Sequence, residues 1–164
     1  MSLVKAYYHI HAFWVKLFWK IIYGSKLNIG EKTTFRRNFT IAVEDMGVVR
    51  IGTSCFFNHD CSISCRGTVE IGNGTLFGEN VKIYDHNHRF AKTAPIKEQG
   101  YSIGKIQIGD HCWIGSNVTF LKGAQVGNDC VIGTGCIIDG LIPENTIVTM
   151  RPQYCIRPVE NSRQ

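Results

Sequence analysis

The run Asp85-His86-Asn87-His88 gathers the most reactive side chains of this 164-residue sequence. It opens a segment that also holds Arg89, Glu98 and Tyr101 and that parts Ile83 from Ile108 by twenty-five positions. An imidazole changes charge close to neutral pH, so a histidine here is able to exchange a proton with a ligand. Loops of more than about 15 residues inside a compact domain are uncommon and usually functional, which weighs that reading against the plainer one of a polar loop residue. A second run, Phe57-Asn58-His59-Asp60, offers an amide that binds hydroxyls as donor and acceptor and a carboxylate that only accepts. Corner hydrogen bonding by Asx side chains explains both equally well. The seven cysteines add no metal centre, because no C-x-x-C pair with zinc spacing occurs.

The elements that must hold these residues follow from a six-residue period. Apolar residues recur at Ile108, Ile114, Phe120, Val126, Ile132 and Ile138, and four positions after each stands a second apolar or small residue: Cys112, Val118, Ala124, Cys130, Cys136 and Ile142. Neither the three-to-four spacing of a helix nor the alternation of a strand produces six. Self-similarity at fixed spacing marks a solenoid, with one short strand and one corner per hexad and three hexads per triangular coil. Gly, Asp or Asn at the corners tolerates the tight backbone there. The period begins after Gly24 with Ile29, Phe35 and Ile41, then Ile51, Phe57 and Ile63, then Ile71, Phe77 and Ile83. It slips to ten residues between Ile41 and Ile51, to eight between Ile63 and Ile71, and to twenty-five before Ile108. Insertions are therefore expected to leave the coil at three joints, the third being residues 84–107.

With 44% hydrophobic content the chain reads as one domain able to bury a core alone or with identical partners. Its formal charge of +5 is dispersed, 18 Lys and Arg among 13 acids, which suits an anionic ligand and not a nucleic acid. Cys55, Cys61, Cys112, Cys130 and Cys136 fall on the small interior position of a hexad and read as core packing in a reducing cytoplasm, while Cys65 and Cys155 lie off register. Residues 2–23 read as an amphipathic helix with Lys5, His9, Lys16 and Lys20 near one line of it, too often interrupted for a membrane span and without a cleavage site after it. This segment, 1–26, either caps the solenoid or a neighbouring subunit or lies in a membrane interface. The domain proper is 27–158, and 159–164 form a tail.

From about Leu27 to Pro158 the sequence resembles the hexapeptide-repeat acyltransferases of the sugar O-acetyltransferase type, among them galactoside and maltose acetyltransferases and enzymes that modify capsule or O-antigen. The resemblance rests on IGDHCWIGSNVTFLKGAQVGNDCVIGTGCII at 108–138, IPENTIV at 142–148, and the histidine-bearing loop before them. It implies an all-β solenoid, a left-handed parallel β-helix, assembled as a homotrimer with active sites between subunits; the general right-handed crossover rule would predict the opposite hand. It also implies acetyl transfer from acetyl-CoA to a sugar hydroxyl, without metal, in polysaccharide biosynthesis. His86 is then the base, His88 bonds substrate or nearby backbone, and Asn58 and Asp60 orient the acceptor. Trp113, Ser116 and Thr134 lie along the implied pantetheine path, and Arg151 and Arg157 would meet the nucleotide phosphates. Asp139-Gly140 and Met150-Arg151-Pro152-Gln153-Tyr154 stand where relatives carry two lysines. Three other readings share the architecture: an amine acceptor on a nucleotide-linked amino sugar, a γ-type carbonic anhydrase with zinc held by histidines such as His59, His86, His88 and His111, and a non-catalytic binding solenoid.

Overall fold

A hexad leaves room for two extended residues and a four-residue corner, and the computed structural model, which describes residues 3–91 and 94–151, is built from that unit. Trp113–Ile114, Thr119–Phe120, Gln125–Val126, Val131–Ile132 and Ile137–Ile138 are successive two-residue strands. They pair in parallel with strands of adjacent coils: Trp113 lies beside Val131 and Thr119 beside Ile137, three hexads on. Three flat faces result. Face A stacks Leu27–Ile29, Val48–Ile51, Thr68–Ile71, Lys105–Ile108, Gln125–Val126 and Leu141–Ile142. Face B stacks Thr34–Phe35, Phe56–Phe57, Leu76–Phe77, Trp113–Ile114, Val131–Ile132 and Ile147–Val148, and face C stacks Thr40–Val43, Ser62–Cys65, Lys82–Tyr84, Thr119–Phe120 and Ile137–Ile138. The protein is thus a three-sided parallel β-solenoid of about six turns, with the arrangement of a left-handed β-helix.

The first residue of each hexad points into the prism. Phe57, Ile63, Ile83, Ile114, Phe120 and Ile132 are all buried, and the end positions Ile29, Ile142 and Val148 are partly open. Corners turn through left-handed backbone at Asn38, Asp60, Asn80, Asn117, Asp129 and Asn145, with φ from 56° to 64°; Asn and Asp bear that conformation at low cost. The in-register cysteines fill the small interior positions as expected, and four of the five thiols also donate to a corner carbonyl of the next coil: Cys55 to Gly72 O at 3.0 Å, Cys61 to Gly78 O at 3.1 Å, Cys112 to Gly127 O at 3.2 Å and Cys130 to Pro143 O at 3.1 Å.

The first two phase slips do not leave the coil. Thr40–Val43 pairs along its length with Ser62–Cys65, and Val48–Ile51 with Thr68–Ile71, so the added residues lengthen faces C and A together. Matching insertions in adjacent coils give the extra backbone groups partners, as buried backbone requires. The third slip does leave the coil. His86–His88 and Tyr101–Ile103 form a two-stranded antiparallel arm with a 3-10 turn at Ile96–Glu98. Lys105–Ile108 already belongs to face A, in register with Thr68–Ile71, so the excursion is shorter than the expected 84–107.

The helix α1, Leu3–Tyr23, lies across the open end of the first coil. Trp19 is buried and sets its ring 5.3 Å from that of Phe35 and 5.6 Å from that of Phe39. Tyr23 donates to Ile41 O at 2.9 Å, and Lys16 to Gly30 O at 3.2 Å. Lys16 therefore faces the coil, while Leu3, Val4, Ile10, Trp14, Phe18 and Ile21 stand exposed. The capping role is present, but the polar line of the helix does not simply point to solvent. Among the described residues no helix is long and apolar enough to cross a membrane.

Two outcomes follow. Trp19→Ala should lower stability by about 3–5 kcal/mol, read as a fall in denaturation midpoint; an unchanged midpoint would deny α1 its capping role. Burial raises the Cys61 thiol to about 11, and burial with the neighbouring Asp85 raises Cys65 to about 12. These groups stabilise the fold fully below the ordinary thiol pKa of about 8.5 and lose that contribution as pH rises through 11–12. Iodoacetamide at pH 8 should leave both unmodified in the native protein and alkylate them on unfolding, as mass spectrometry would report.

Candidate active site

The strand Lys82–Tyr84 ends where the lengthened second coil passes overhead, and Asp85 turns its side chain into that crossing. Its carboxylate is fully buried. A buried carboxylate persists only where donors satisfy it, and here they converge from one tripeptide. Arg66 N–H donates to Oδ1 at 2.9 Å, Gly67 N–H to Oδ2 at 2.7 Å, and the Cys65 thiol to Oδ2 at 3.1 Å. Gly67 is required by space: a Cβ there would lie 2.5 Å from Gly104 O.

The remaining interaction of Asp85 Oδ1 is with His86 Nδ1 at 2.9 Å. The carboxylate can only accept, which assigns the proton to Nδ1 and leaves a lone pair on Nε2. Among the described residues Nε2 makes no hydrogen bond. The ring is held further by Tyr101, edge to face at 5.2 Å, and Tyr101 also meets His88 at 4.5 Å and takes the Arg66 guanidinium over its face at 3.7 Å. Arg66 is pinned in turn by ion pairs with Glu44 and Asp45. From below, Lys122 donates to Ser102 Oγ at 2.6 Å. The arm thus presents one half-buried imidazole with a fixed tautomer, suited to accept a proton.

A separate groove of about 610 Å³ runs along the outside of face B, between Phe56, Leu76, Trp113 and Val131 on one side and Asn58, Glu79, Ser116 and Thr134 on the other. Glu79 is its hub: it accepts from the Asn58 amide and, at 2.5 Å, from the Ser116 hydroxyl. That hydroxyl holds the Glu79 carboxyl below its ordinary value. Thr134 Oγ1 donates to Ser116 O at 2.6 Å. Trp113 is 61% exposed, within a ladder of outward apolar residues completed by Leu76 and Ile147.

The structure therefore brings Asn58, Trp113, Ser116 and Thr134 into one groove and His86 and His88 onto one arm, and no arm residue lines the groove. Asp60 joins neither. It sits at a corner with φ 64° and accepts from Asn38 Nδ2 at 2.8 Å, the corner bonding weighed as its alternative. Arg151 is exposed at the end of the described chain, while Arg157 and Cys155 lie outside the described residues. Among the described residues no three or more His, Cys, Asp or Glu side chains gather in a way that could hold a metal ion, and His111 is a corner residue with φ 56°.

Residues 105–140 match the family described as bacterial transferase hexapeptide (six repeats). Over 139 residues, 80% of this chain and 71% of the relative, the sequence is 30% identical to an Escherichia coli (strain K12) protein named "Putative lipopolysaccharide biosynthesis O-acetyl transferase". The chain belongs to the bacterial hexapeptide-repeat transferase family. Among solved structures, a hexapeptide-repeat-containing acetyltransferase from Vibrio cholerae shares the fold at a TM-score of 0.67 and 23% identity, covering 82% of this chain and 74% of that one; the same protein is also known complexed with acetyl coenzyme A. A maltose O-acetyltransferase from Clostridium difficile aligns at a TM-score of 0.63 and 25% identity, covering 78% of this chain and 67% of that one. The chain spans about half the length of most curated relatives it matches, from 43% to 56%.

Sequence reasoning placed the histidine arm but gave no role to Asp85, to its cradle Cys65-Arg66-Gly67, or to Glu79. Only the carboxylate directly before His86 was a readable sign. Asp85→Asn should remove the Nδ1–H preference of His86 in nitrogen-15 spectra of the imidazole; an unaltered tautomer would show that something else fixes the ring. Because an amide replaces an acceptor facing backbone N–H donors, this variant should also lose about 1–3 kcal/mol of stability.

Proposed function

We propose that the protein transfers an acetyl group from acetyl coenzyme A to a hydroxyl of a sugar or polysaccharide precursor, with His86 as general base. The observation that carries this reading is the Asp85–His86 pair, with Nδ1 held and Nε2 free on an arm built from rigid parts. The hydroxyl proton passes to Nε2 as the oxygen attacks the thioester carbonyl. The new C–O bond forms, the C–S bond breaks, and the departing sulfur takes the proton back from the imidazolium. Asp85 stabilises that imidazolium while it lasts. Base catalysis of this kind contributes about 10²- to 10⁴-fold. Relatives named as O-acetyltransferases support the reaction class, and the Vibrio cholerae complex supports the donor.

The groove on face B suits the extended arm of the donor. Its apolar wall packs the chain, and the backbone around Ser116 and Thr134 meets the amides, with Arg151 near the phosphates. Because the groove and His86 sit on different parts of one chain, we read the active site as shared: the arm of one copy reaches the groove of the next in a homotrimer, whose contacts the outward apolar ladder of face B would supply. The exposed apolar side of α1 we read as resting on a membrane surface, the inner face of the cytoplasmic membrane.

Thiol release from acetyl-CoA with a panel of sugars, amino sugars and nucleotide sugars tests the activity and separates hydroxyl from amine acceptors. His86→Ala should keep acetyl-CoA binding and lose about 10²-fold or more in turnover, together with the acid limb of the pH profile, while His88→Ala should mainly raise the acceptor KM. Turnover close to wild type in His86→Ala would refute the assignment. Mixing His86→Ala chains with chains carrying Asn58→Ala and Trp113→Ala should restore activity, because some mixed trimers then hold one intact site. Verified mixed trimers without activity would place each site within a single chain.

A further inference from the structure

Between α1 and the first coil of face A lies a second groove, of about 740 Å³, which shares no lining residue with the arm or with the face B groove. Its size is that of small-molecule sites, about 300–1,000 Å³. One wall is a single stripe of α1, Phe13, Lys16, Leu17 and Lys20, spaced so that all four share a helix face. Leu27 and Ile29 form the floor, and Arg50 closes the far side. The lining holds three cations and no carboxylate. Among the described residues none of the three makes an ion pair. The acid nearest Arg50 in register, Glu70, is taken by Lys105 at 2.7 Å. Lys16 is held half-buried by its bond to Gly30 O, and burial pulls its ammonium below the ordinary value. A cation partly stripped of water, with only a carbonyl as partner, gains from an incoming anion.

We propose that this groove binds the phosphate of a lipid, with Lys16, Lys20 and Arg50 around the headgroup and Phe13 and Leu17 against the first carbons of the chain. Two observations join in this choice of occupant. The cations call for an anion, and the apolar wall is continuous with the exposed apolar side of α1, where Phe13 is 62% and Phe18 59% exposed. A free inorganic anion would satisfy the first and leave the second idle. The proposal rests on the membrane-facing reading of α1 for the source of the lipid, and it is independent of acetyl transfer.

Dodecyl phosphate, kept below micelle formation, should bind the full chain once, measured by calorimetry. Dodecyl maltoside and inorganic phosphate should each bind at least about tenfold more weakly, the first lacking charge and the second lacking chain. Lys20→Gln with Arg50→Gln should weaken dodecyl phosphate about tenfold or more; this variant leaves in place Lys16, which ties the helix to the coil. Equal binding of dodecyl maltoside, or an unchanged double variant, would overturn the proposal, and equal binding of inorganic phosphate would overturn the lipid assignment. Vesicles of phosphatidylcholine with and without phosphatidylglycerol test the source. Wild type should prefer the anionic vesicles, and Phe18→Ser with Ile21→Ser, outside the groove, should lose vesicle binding while keeping dodecyl phosphate. Loss of vesicle binding by wild type alone sinks the membrane reading, whereas loss of dodecyl phosphate binding alone sinks the groove.

Discussion

The inward side chains of this solenoid stack on those of the next coil, because its parallel strands lie only about 4.7–4.9 Å apart. The rest of the molecule answers to that constraint. The Phe57 and Phe77 rings stack at 4.3 Å with their planes 5° apart, and Phe39 stacks on Phe57 at 4.6 Å. Aromatic rings normally favour offset or edge contacts; here coil spacing decides the geometry. A stack of this kind cannot stop in water without exposing a ring face. Trp19 ends it, turned 77° to Phe39, and α1 is the element that carries Trp19 there. The corner thiols obey the same rule, each too small to disturb the next coil and each reaching its carbonyl.

How far the fold was legible follows from what the period records. Ile114, Phe120 and Ile132 could be placed in the core by counting, since the large apolar residue recurs at one fixed place in every hexad. The two early phase slips could not, because whether an insertion loops out depends on the adjacent coil. Val43 and Cys65 are paired although twenty-two positions apart, and nothing local in either segment says so. The orientation of α1 was hidden for a similar reason. Lys16 marks a polar line on a helical wheel, yet its carbonyl partner Gly30 lies on the coil, so the wheel alone assigns it to the wrong side.

The candidate site divides in the same way. His86 was visible because a long break in the period exposed it. Asp85, directly before it, was visible as a residue but not as the anchor of the imidazole, since two of its donors are backbone N–H groups of Arg66 and Gly67, and backbone donors leave no trace in residue type. Glu79 went unnoticed because a Glu at a hexad corner reads as a solvated charge. Its meaning comes from Asn58 and Ser116, one coil to either side.

The orientation of the His86 imidazole is therefore a property of the coil rather than of the arm. The residues that lengthen the second coil, Cys65 to Gly67, are the ones that cradle Asp85, and Arg66 from the same tripeptide reaches Glu44 and Asp45 in the first coil and Tyr101 on the arm. Removing those added residues would leave the buried Asp85 carboxylate without three of its four donors, a loss that costs several kcal/mol. Cys65 fits this position better than its inertness suggests. Its thiol is held protonated by burial and by Asp85 itself, so it remains a donor to the carboxylate across the whole neutral range instead of becoming a second anion beside it. A site built in this way keeps its imidazole aligned through rigid strands, while the tip of the arm, around Phe90 and Ile96, stays exposed.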